Sequence, residues 1–224
     1  YEALQHIRSR FAIPLDDDEI VDAPFWRPPA DAPEMEYLHA RRVALGGFVP
    51  ARTSTAPRLD CPPLAAFAEF LAGTQGRPAS TTMAWVRMLG LLLKDAAIGR
   101  LLVPIIPDEA RTFGMDGLFR QLGIYAPGGQ RYVPVDADKA LYYREAADGQ
   151  VLEEGINEAG ALASFVAAGT AHATTGVPLL PIYTFYSMFG FQRVGDLIFL
   201  AGDARARGIL AGATAGRTAL NGEG

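Results

Sequence analysis

From residue 78 onward the apolar positions fall into runs of two different periods. Trp85, Met88, Leu89 and Leu92 recur at i, i+3, i+4 and i+7, the spacing of one helix face. Ser80-Thr81-Thr82 ahead of them offers a cap for the first free N–H groups, and Lys94-Asp95 closes the run. Leu101–Ile106 is short and continuously apolar, the pattern of a strand covered on both faces of a parallel sheet. Gly114–Leu122 returns to a helical pattern, and a small-residue helix with Leu162, Phe165 and Val166 on its inner face begins near Glu158, with His172 towards its end. Val177–Tyr183 is predicted as the next strand. Val194, Leu197, Ile198 and Ala201 predict another helix, ended by Arg205, Arg207 and Gly208. Ile209–Thr214 reads as a further strand and Gly216–Gly224 as a loop leaving it. Alternating strands and helices predict an α/β fold, a mostly parallel sheet with helices on both faces.

Residues 1–77 have a different texture. Pro24, Pro28, Pro29, Pro33, Pro50, Pro57, Pro62 and Pro63 interrupt any long helix, because each lacks a donor and restrains its predecessor. Glu34–Arg42 is predicted as a short helix, and the whole stretch as an ordered interdomain connector in which Phe25, Trp26, Tyr37 and Phe48 find something to pack against. The acidic run Asp16-Asp17-Asp18-Glu19 reads as a solvated face or helix start rather than a metal site, and His6 and His39 have no neighbour at metal-ligand spacing. The expected division is thus a connector over 1–77 and an α/β domain over 78–224.

Half of the residues are hydrophobic and a fifth charged, enough for a sizeable core. The net charge of −5, without a Lys/Arg cluster, argues against a nucleic-acid partner. The longest apolar runs are too short for a membrane span, which takes roughly 20 residues. One cysteine, Cys61, excludes an internal disulfide and fits a reducing, cytoplasmic compartment. A chain that begins at Tyr1 and stops at Asn221-Gly222-Glu223-Gly224 is expected to be an internal piece of a longer protein.

Three stretches carry candidate chemistry. Pro107-Asp108-Glu109 follows a predicted strand at its carboxyl end, where open α/β sheets place ligands; the two acids are either site residues or a helix-capping pair. The polar segment 127–150, with Asp136, Asp138, Arg144, Glu145 and Tyr132, Tyr142 and Tyr143, is either a surface loop with one short strand or an active-site loop. In Glu153-Glu154-Gly155-Ile156-Asn157-Glu158-Ala159-Gly160, a carboxylate pair runs through a glycine to a third carboxylate at a loop-to-helix junction. Phe185, Tyr186, Phe189 and Phe191 follow the next strand and return to the same edge of a parallel sheet, either as core or as a face for a flat ring.

The spacing Gly155-Ile156-x-Glu158 resembles the glutamate motif of thiamine diphosphate enzymes in the transketolase and pyruvate dehydrogenase group. The run Pro181-Ile182-Tyr183-Thr184-Phe185-Tyr186-Ser187-Met188-Phe189-Gly190-Phe191-Gln192-Arg193-Val194-Gly195-Asp196 resembles, more specifically, the single-chain, homodimeric pyruvate dehydrogenases of bacteria. Ser80–Ala84, Ile106–Met115 and Gly202-Asp203-x-Arg205-Ala206-Arg207-Gly208 are similar to the same family, and Asn221–Gly224 resembles the lead-in to its mobile, histidine-bearing loop. The resemblance implies a pyrimidine-binding domain in which Glu158 hydrogen-bonds the cofactor's aminopyrimidine and favours its imino form. It implies a ring stack on Phe189, with Tyr186 and Arg193 in the cofactor pocket, Ile156 as apolar lining, and Asp108 and Glu109 near the pyrimidine. It further implies decarboxylation of pyruvate, with acetyl transfer to lipoyl groups of a partner dihydrolipoyl acetyltransferase, in a homodimer. The family holds the diphosphate through magnesium with a Gly-Asp-Gly motif and a later asparagine. No such pair occurs here, which assigns the metal to a domain outside this chain. A transketolase-type carbon transfer shares the glutamate, but sugar phosphates call for more basic residues than Arg193. A non-catalytic scaffold of the same fold is the third reading.

Overall fold

The structure, a computed structural model, describes residues 1–49, 55–107, 110–135 and 143–213. Contacts divide the chain into two units, Tyr1–Ala51 and Arg52–Gly224. In the first, α1 (Glu2–Arg10) precedes a 3-10 turn at Glu19–Asp22 and then α2 (Pro33–Ala44). Nothing in the apolar pattern announces α1, because it buries no residue. Pro33 sits in the first turn of α2, where its missing donor costs nothing, so the helix starts ahead of the predicted Glu34. The acidic run is a helix start: the Asp16 carboxylate accepts the N–H groups of Asp18 at 3.0 Å and Glu19 at 2.8 Å. Asp17 pairs with Arg8, whose guanidinium hydrogen bond holds the carboxyl below its usual range. The buried hydrophobics of this unit are Ile20 and Met35, while Phe25, Tyr37 and Phe48 stay exposed. Of the four aromatics expected to pack, Trp26 is partly buried within the unit and the other three are not. Two short helices joined by proline-rich extended chain enclose little volume, and Phe48 meets the edge of His39, at 5.3 Å between ring centres.

The second unit runs through a 3-10 turn at Leu64–Phe67, α3 (Ala68–Leu71), α4 (Thr81–Leu92), β1 (Leu102–Ile106), α5 (Asp116–Leu122), β2 (Ile124–Tyr125), β3 (Glu145–Ala146), β4 (Leu152–Glu153), α6 (Glu158–Thr174), β5 (Leu180–Tyr186), α7 (Ser187–Asp203) and β6 (Ile209–Ala213). Its main sheet has the order β4-β1-β5-β6, parallel throughout, and β2 pairs with β3 in a separate parallel ribbon. This is the α/β architecture the alternation predicts. Ser80 caps α4 by accepting the Met83 N–H at 3.3 Å. Side chains alternate across the central strands with the period of two that a pleat imposes. Leu102 and Ile106 of β1, with Leu180 and Ile182 of β5, join Leu89 of α4 and Leu118 and Phe119 of α5 in one core. Ile105, Tyr183 and Phe185 point the other way, into a second core with Ala161, Leu162 and Phe165 of α6 and Val194 and Ala201 of α7. Pro104 lies within β1 and is tolerated because β4 reaches only Ile105 and Ile106, so that the strand is flanked at Pro104 by β5 alone. Gln150 pins the turn before β4 to the start of β1, donating to the carbonyls of Gly99 at 2.6 Å and Leu102 at 2.7 Å.

Several boundaries differ from the predicted ones. β5 begins at Leu180 rather than Val177, which is exposed, and it continues to Tyr186. α7 starts directly at Ser187; the apolar spacing from Val194 marks only its second half, beyond a kink where Val194 has φ −131° and ψ 23°. β4 is two residues long, too short to leave a periodic signal. His172 is indeed in the last turn of α6, and it is buried. Thr214 and the loop Gly216–Gly224 lie outside the described residues.

Candidate active site

The glutamate segment is placed by a chain of local bonds. The Glu154 N–H donates to the Ile106 carbonyl at 3.0 Å, so the chain leaves β4 alongside the end of β1. Gly155 then turns with φ +75°, in the left-handed region that a side chain disfavours. Asn157 caps α6, its side-chain oxygen accepting the Gly160 N–H at 3.0 Å. Glu158 is therefore the first residue of α6, and its side chain is only 12% exposed. Ser164, two turns on, donates to the Glu154 carboxylate and ties the loop to the helix.

The other wall comes from the junction of β5 and α7, which has no loop: Tyr186 ends the strand and Ser187 starts the helix. Phe189 and Arg193 are four residues apart and share one helix face. The Arg193 Nη1 donates to Glu158 Oε1 at 2.7 Å, and its guanidinium carbon lies 4.4 Å from the centre of the Phe189 ring. The arginine thus joins the two walls through an ion pair and a cation–π contact. Tyr186 meets Phe189 edge-on at 6.1 Å, and Phe113 braces Tyr186 from behind at 4.9 Å.

Between these walls lies a cavity of about 130 Å³ lined by Pro107, Ile156, Glu158, Phe185, Tyr186, Phe189 and Arg193. It sits at the carboxyl ends of β1 and β5, beside the starts of α6 and α7, the usual ligand position in open α/β sheets. Of the residues singled out in the sequence, Ile156, Glu158, Tyr186, Phe189 and Arg193 are brought together here. Asp108 and Glu109 lie outside the described residues. Phe191 is turned away, packing edge-on against Phe185 at 5.4 Å and largely exposed.

Two side chains beside the site were given no role by the sequence. Phe113 supports Tyr186 from a turn whose role no spacing rule reveals. Tyr183 sits in a buried strand position like any core residue, yet its hydroxyl has no hydrogen-bond partner among the described residues. Burial, and then the charge of Glu158, pushes this phenol well above its ordinary value. The carboxylate pair divides: Glu154 holds Ser164, whereas Glu153 lies near Tyr143. Burial first, and then the Glu153 charge, pushes the Tyr143 phenol up. Tyr132 donates to Glu145 at 2.7 Å, closing the described part of the 127–150 segment onto β3.

The donor set suits a flat, nitrogen-bearing ring. A largely buried carboxylate offers a hydrogen-bond end, Phe189 offers a face and Ile156 an apolar flank. The cavity is close to the roughly 150 Å³ that holds a benzene-sized ring. Among the described residues, no group of three or more His, Cys, Asp or Glu side chains is placed to hold a metal ion.

Residues 57–224 match the family described as the pyruvate dehydrogenase E1 component middle domain. The chain belongs to that family. It is 54% identical over 223 residues to the pyruvate dehydrogenase E1 component of Pseudomonas aeruginosa, covering 100% of this chain and 25% of that protein. It is 50% identical over 224 residues to the E1 component of Escherichia coli strain K12, with the same coverages. The E1 component of Corynebacterium glutamicum is 51% identical over 225 residues, covering 99% of this chain and 24% of its own length. The chain thus spans about a quarter of the length of these E1 relatives. Among its described residues no helix is long and apolar enough to cross a membrane.

Proposed function

We propose that this chain supplies the pyrimidine half of the site in a thiamine diphosphate-dependent pyruvate dehydrogenase. That enzyme decarboxylates pyruvate and passes the acetyl group to lipoyl groups of a dihydrolipoyl acetyltransferase. The observation that carries this reading is the convergence of Glu158, Phe189, Tyr186, Ile156 and Arg193 on one ring-sized cavity in a chain of the E1 middle-domain family. When bound, the cofactor would supply a nucleophilic thiazolium carbon for attack on the 2-oxo acid.

The residues of this chain act around that ring. Glu158 would hold a proton at the ring nitrogen opposite the exocyclic amine, and the cap at Asn157 fixes the start of the helix that carries it. Phe189 gives the ring a face, worth about 0.5–1.5 kcal/mol beyond burial for an aromatic pair. Tyr186 and Ile156 close the edges and exclude water, and Arg193 completes the pocket. Asp108 and Glu109 are assigned as acids near the pyrimidine on the family resemblance of the Ile106–Met115 stretch. The diphosphate and its magnesium belong to a domain outside this chain, reached across a homodimer interface. The exposed apolar side chains of Phe199 and Leu200 on α7 are in keeping with such an interface. Residues 1–77 act as the connector, residues 78–224 as the pyrimidine domain, and the enzyme works in the cytoplasm.

The test is Glu158→Gln in the full-length enzyme. The amide keeps size and a hydrogen-bonding end but cannot share an ionisable proton. Exchange of the thiazolium proton should slow by roughly 10²-fold or more, the scale of acid–base contributions. Pyruvate turnover should fall with it while thermal melting stays put. Near-normal exchange in a well-folded variant removes Glu158 from the mechanism.

A further inference from the structure

A second cavity, of about 410 Å³, lies between the start of α4 and the strands β5 and β6. It shares no lining residue with the cavity at Glu158. Thr81, Thr82 and Trp85 come to it from α4, Thr184 from β5, and Ile209 and Ala211 from β6. Its size falls within the roughly 300–1,000 Å³ of small-molecule sites. The room has a cause in the sequence. Thr184 pairs with Ala211 on the neighbouring strand, so two small side chains stand together and leave the sheet low at this point. β6 also ends the strand order, and among the described residues no further strand closes that side.

Two of its walls carry buried donors with nothing to bond. Thr184 is 2% exposed, and its hydroxyl has no hydrogen-bond partner among the described residues. The indole Nε1 of Trp85 is buried and has none among them either. Both stand at positions whose neighbours are apolar. Thr184 lies between Ile182 and Tyr186 on one strand face, and Trp85 lies one turn before Leu89 on one helix face. Valine and phenylalanine would fill these positions without burying a polar atom, so the polar atoms call for an acceptor. An indole N–H can only donate, and a threonine hydroxyl can turn to do so. The lining holds no Lys, Arg, Asp or Glu. Its electrostatic feature is the start of α4, a helix of 12 residues whose positive end favours an anion. Ser80 takes the Met83 N–H, and the N–H groups of Thr81 and Thr82 before it have no partner within the helix.

We propose that this cavity is a binding site for a short-chain carboxylate. The two carboxylate oxygens accept from Trp85 Nε1 and Thr184 Oγ1 beside the start of α4, and a short aliphatic body lies over Ile209 and Ala211. The site gives a role to the Ser80–Ala84 stretch, of which the cavity at Glu158 uses nothing. Its chemistry selects by charge and by acceptor count. An alcohol of the same body offers one oxygen and no charge. An amine brings donors to walls that already have them.

The experiment uses the full-length enzyme saturated with thiamine diphosphate and magnesium, so that no probe enters the cofactor's own site. Hexanoate, hexanol and hexylamine, three probes with one aliphatic body, are titrated in by calorimetry. Hexanoate should bind at least about 10-fold more tightly than hexanol, because hydrogen bonds to an ionised acceptor are the stronger ones, and hexylamine should not bind. Thr184→Val and Trp85→Phe each remove one donor. Each should weaken hexanoate by about 10- to 100-fold, the scale of a hydrogen bond to a charged group. Without probe, Thr184→Val should melt no earlier than the parent, since the hydroxyl it removes has no partner to lose. Trp85→Phe also trims volume, so where it melts earlier the affinity of Thr184→Val decides. Absence of hexanoate binding to the parent enzyme overturns the proposal, as does equal binding of hexylamine. Unchanged hexanoate affinity in Thr184→Val places the binding elsewhere and overturns it too. Earlier melting of Thr184→Val without probe shows instead that another part of the enzyme already supplies the acceptor, and the cavity is then a packing surface rather than a ligand site.

Discussion

Replacing Gly190 by alanine puts a methyl group where the structure has none to spare. A Cβ at this position would lie 2.9 Å from Cγ of Phe185 and closer still to two other ring carbons, whereas carbon atoms in contact prefer about 3.5–4.0 Å. The ring cannot step aside. Phe185 is 1% exposed, with Tyr183 against it at 4.8 Å and Phe191 edge-on at 5.4 Å. Overpacking of this kind costs about 1–3 kcal/mol, and an unyielding neighbour puts the cost near the top of that range. Alanine returns about 1 kcal/mol through helix propensity, leaving a net loss of about 2 kcal/mol. The strain should move the start of α7 outward, and Phe189 and Arg193 ride on that segment. The assay pairs Gly190→Ala with Gly202→Ala in the full-length enzyme. Gly202 is on the same helix, exposed, and would place its Cβ in open space. Both variants gain the same propensity, so the difference in their melting isolates the clash. Gly202→Ala should be neutral or stabilising, and Gly190→Ala should melt earlier and bind thiamine diphosphate more weakly. Equal stability of the two with unchanged cofactor affinity would refute the rigid-neighbour argument.

Two further outcomes follow from buried polar groups. Gln150→Ala leaves the carbonyls of Gly99 and Leu102 without their donor and should cost about 1–3 kcal/mol in denaturant unfolding, with little effect on cofactor affinity. Tyr183→Phe removes a hydroxyl that has no hydrogen-bond partner among the described residues, so stability at neutral pH should hold or rise. The folded phenol titrates above the ordinary value of 10.0, so above that pH the unfolded chain ionises first and stability falls as pH rises. The variant should therefore lose stability less steeply than the parent in alkaline solution, and parallel profiles would discard the burial argument.

The legible part of the fold was the part with a period. The spacing from Trp85 to Leu92 and the inner face at Leu162 and Phe165 repeat often enough to be read, and the continuous apolar run Leu101–Ile106 marks a strand that begins one residue later, at Leu102. β4 escaped because two residues have no period, and α1 because a helix that buries nothing carries no stripe. The end of β5 was misplaced for a related reason. Tyr186 and Phe189 both read as aromatic residues of one segment, although the change from strand to helix falls between them. The site was legible through its motif: Glu158 and Phe189 stand 31 positions apart, and only the parallel return of β5 to the edge of β1 makes them neighbours. The pairing of Arg193 with both was not legible, since no spacing rule joins a residue on α7 to the first residue of α6. The Tyr183 hydroxyl was hidden by its strand, where its alternation marks only a core face.

The order of the sheet also bears on how this protein comes to be folded. Leu102 pairs with Leu180, so the strand at its centre meets its main neighbour across 78 positions of sequence. At synthesis rates of about 5–20 residues per second, the run Leu102–Ile106 emerges roughly 4–16 s before that neighbour exists. In that interval the edge that β5 will take is open along its whole length, and β4, once made, covers Ile105 and Ile106 on the other edge. Non-local pairing of this kind slows the search and lengthens the exposure of a sticky segment. The nascent chain therefore spends seconds with its most apolar strand half unpaired, and whatever shields that strand during translation is not the partner that shields it in the finished fold.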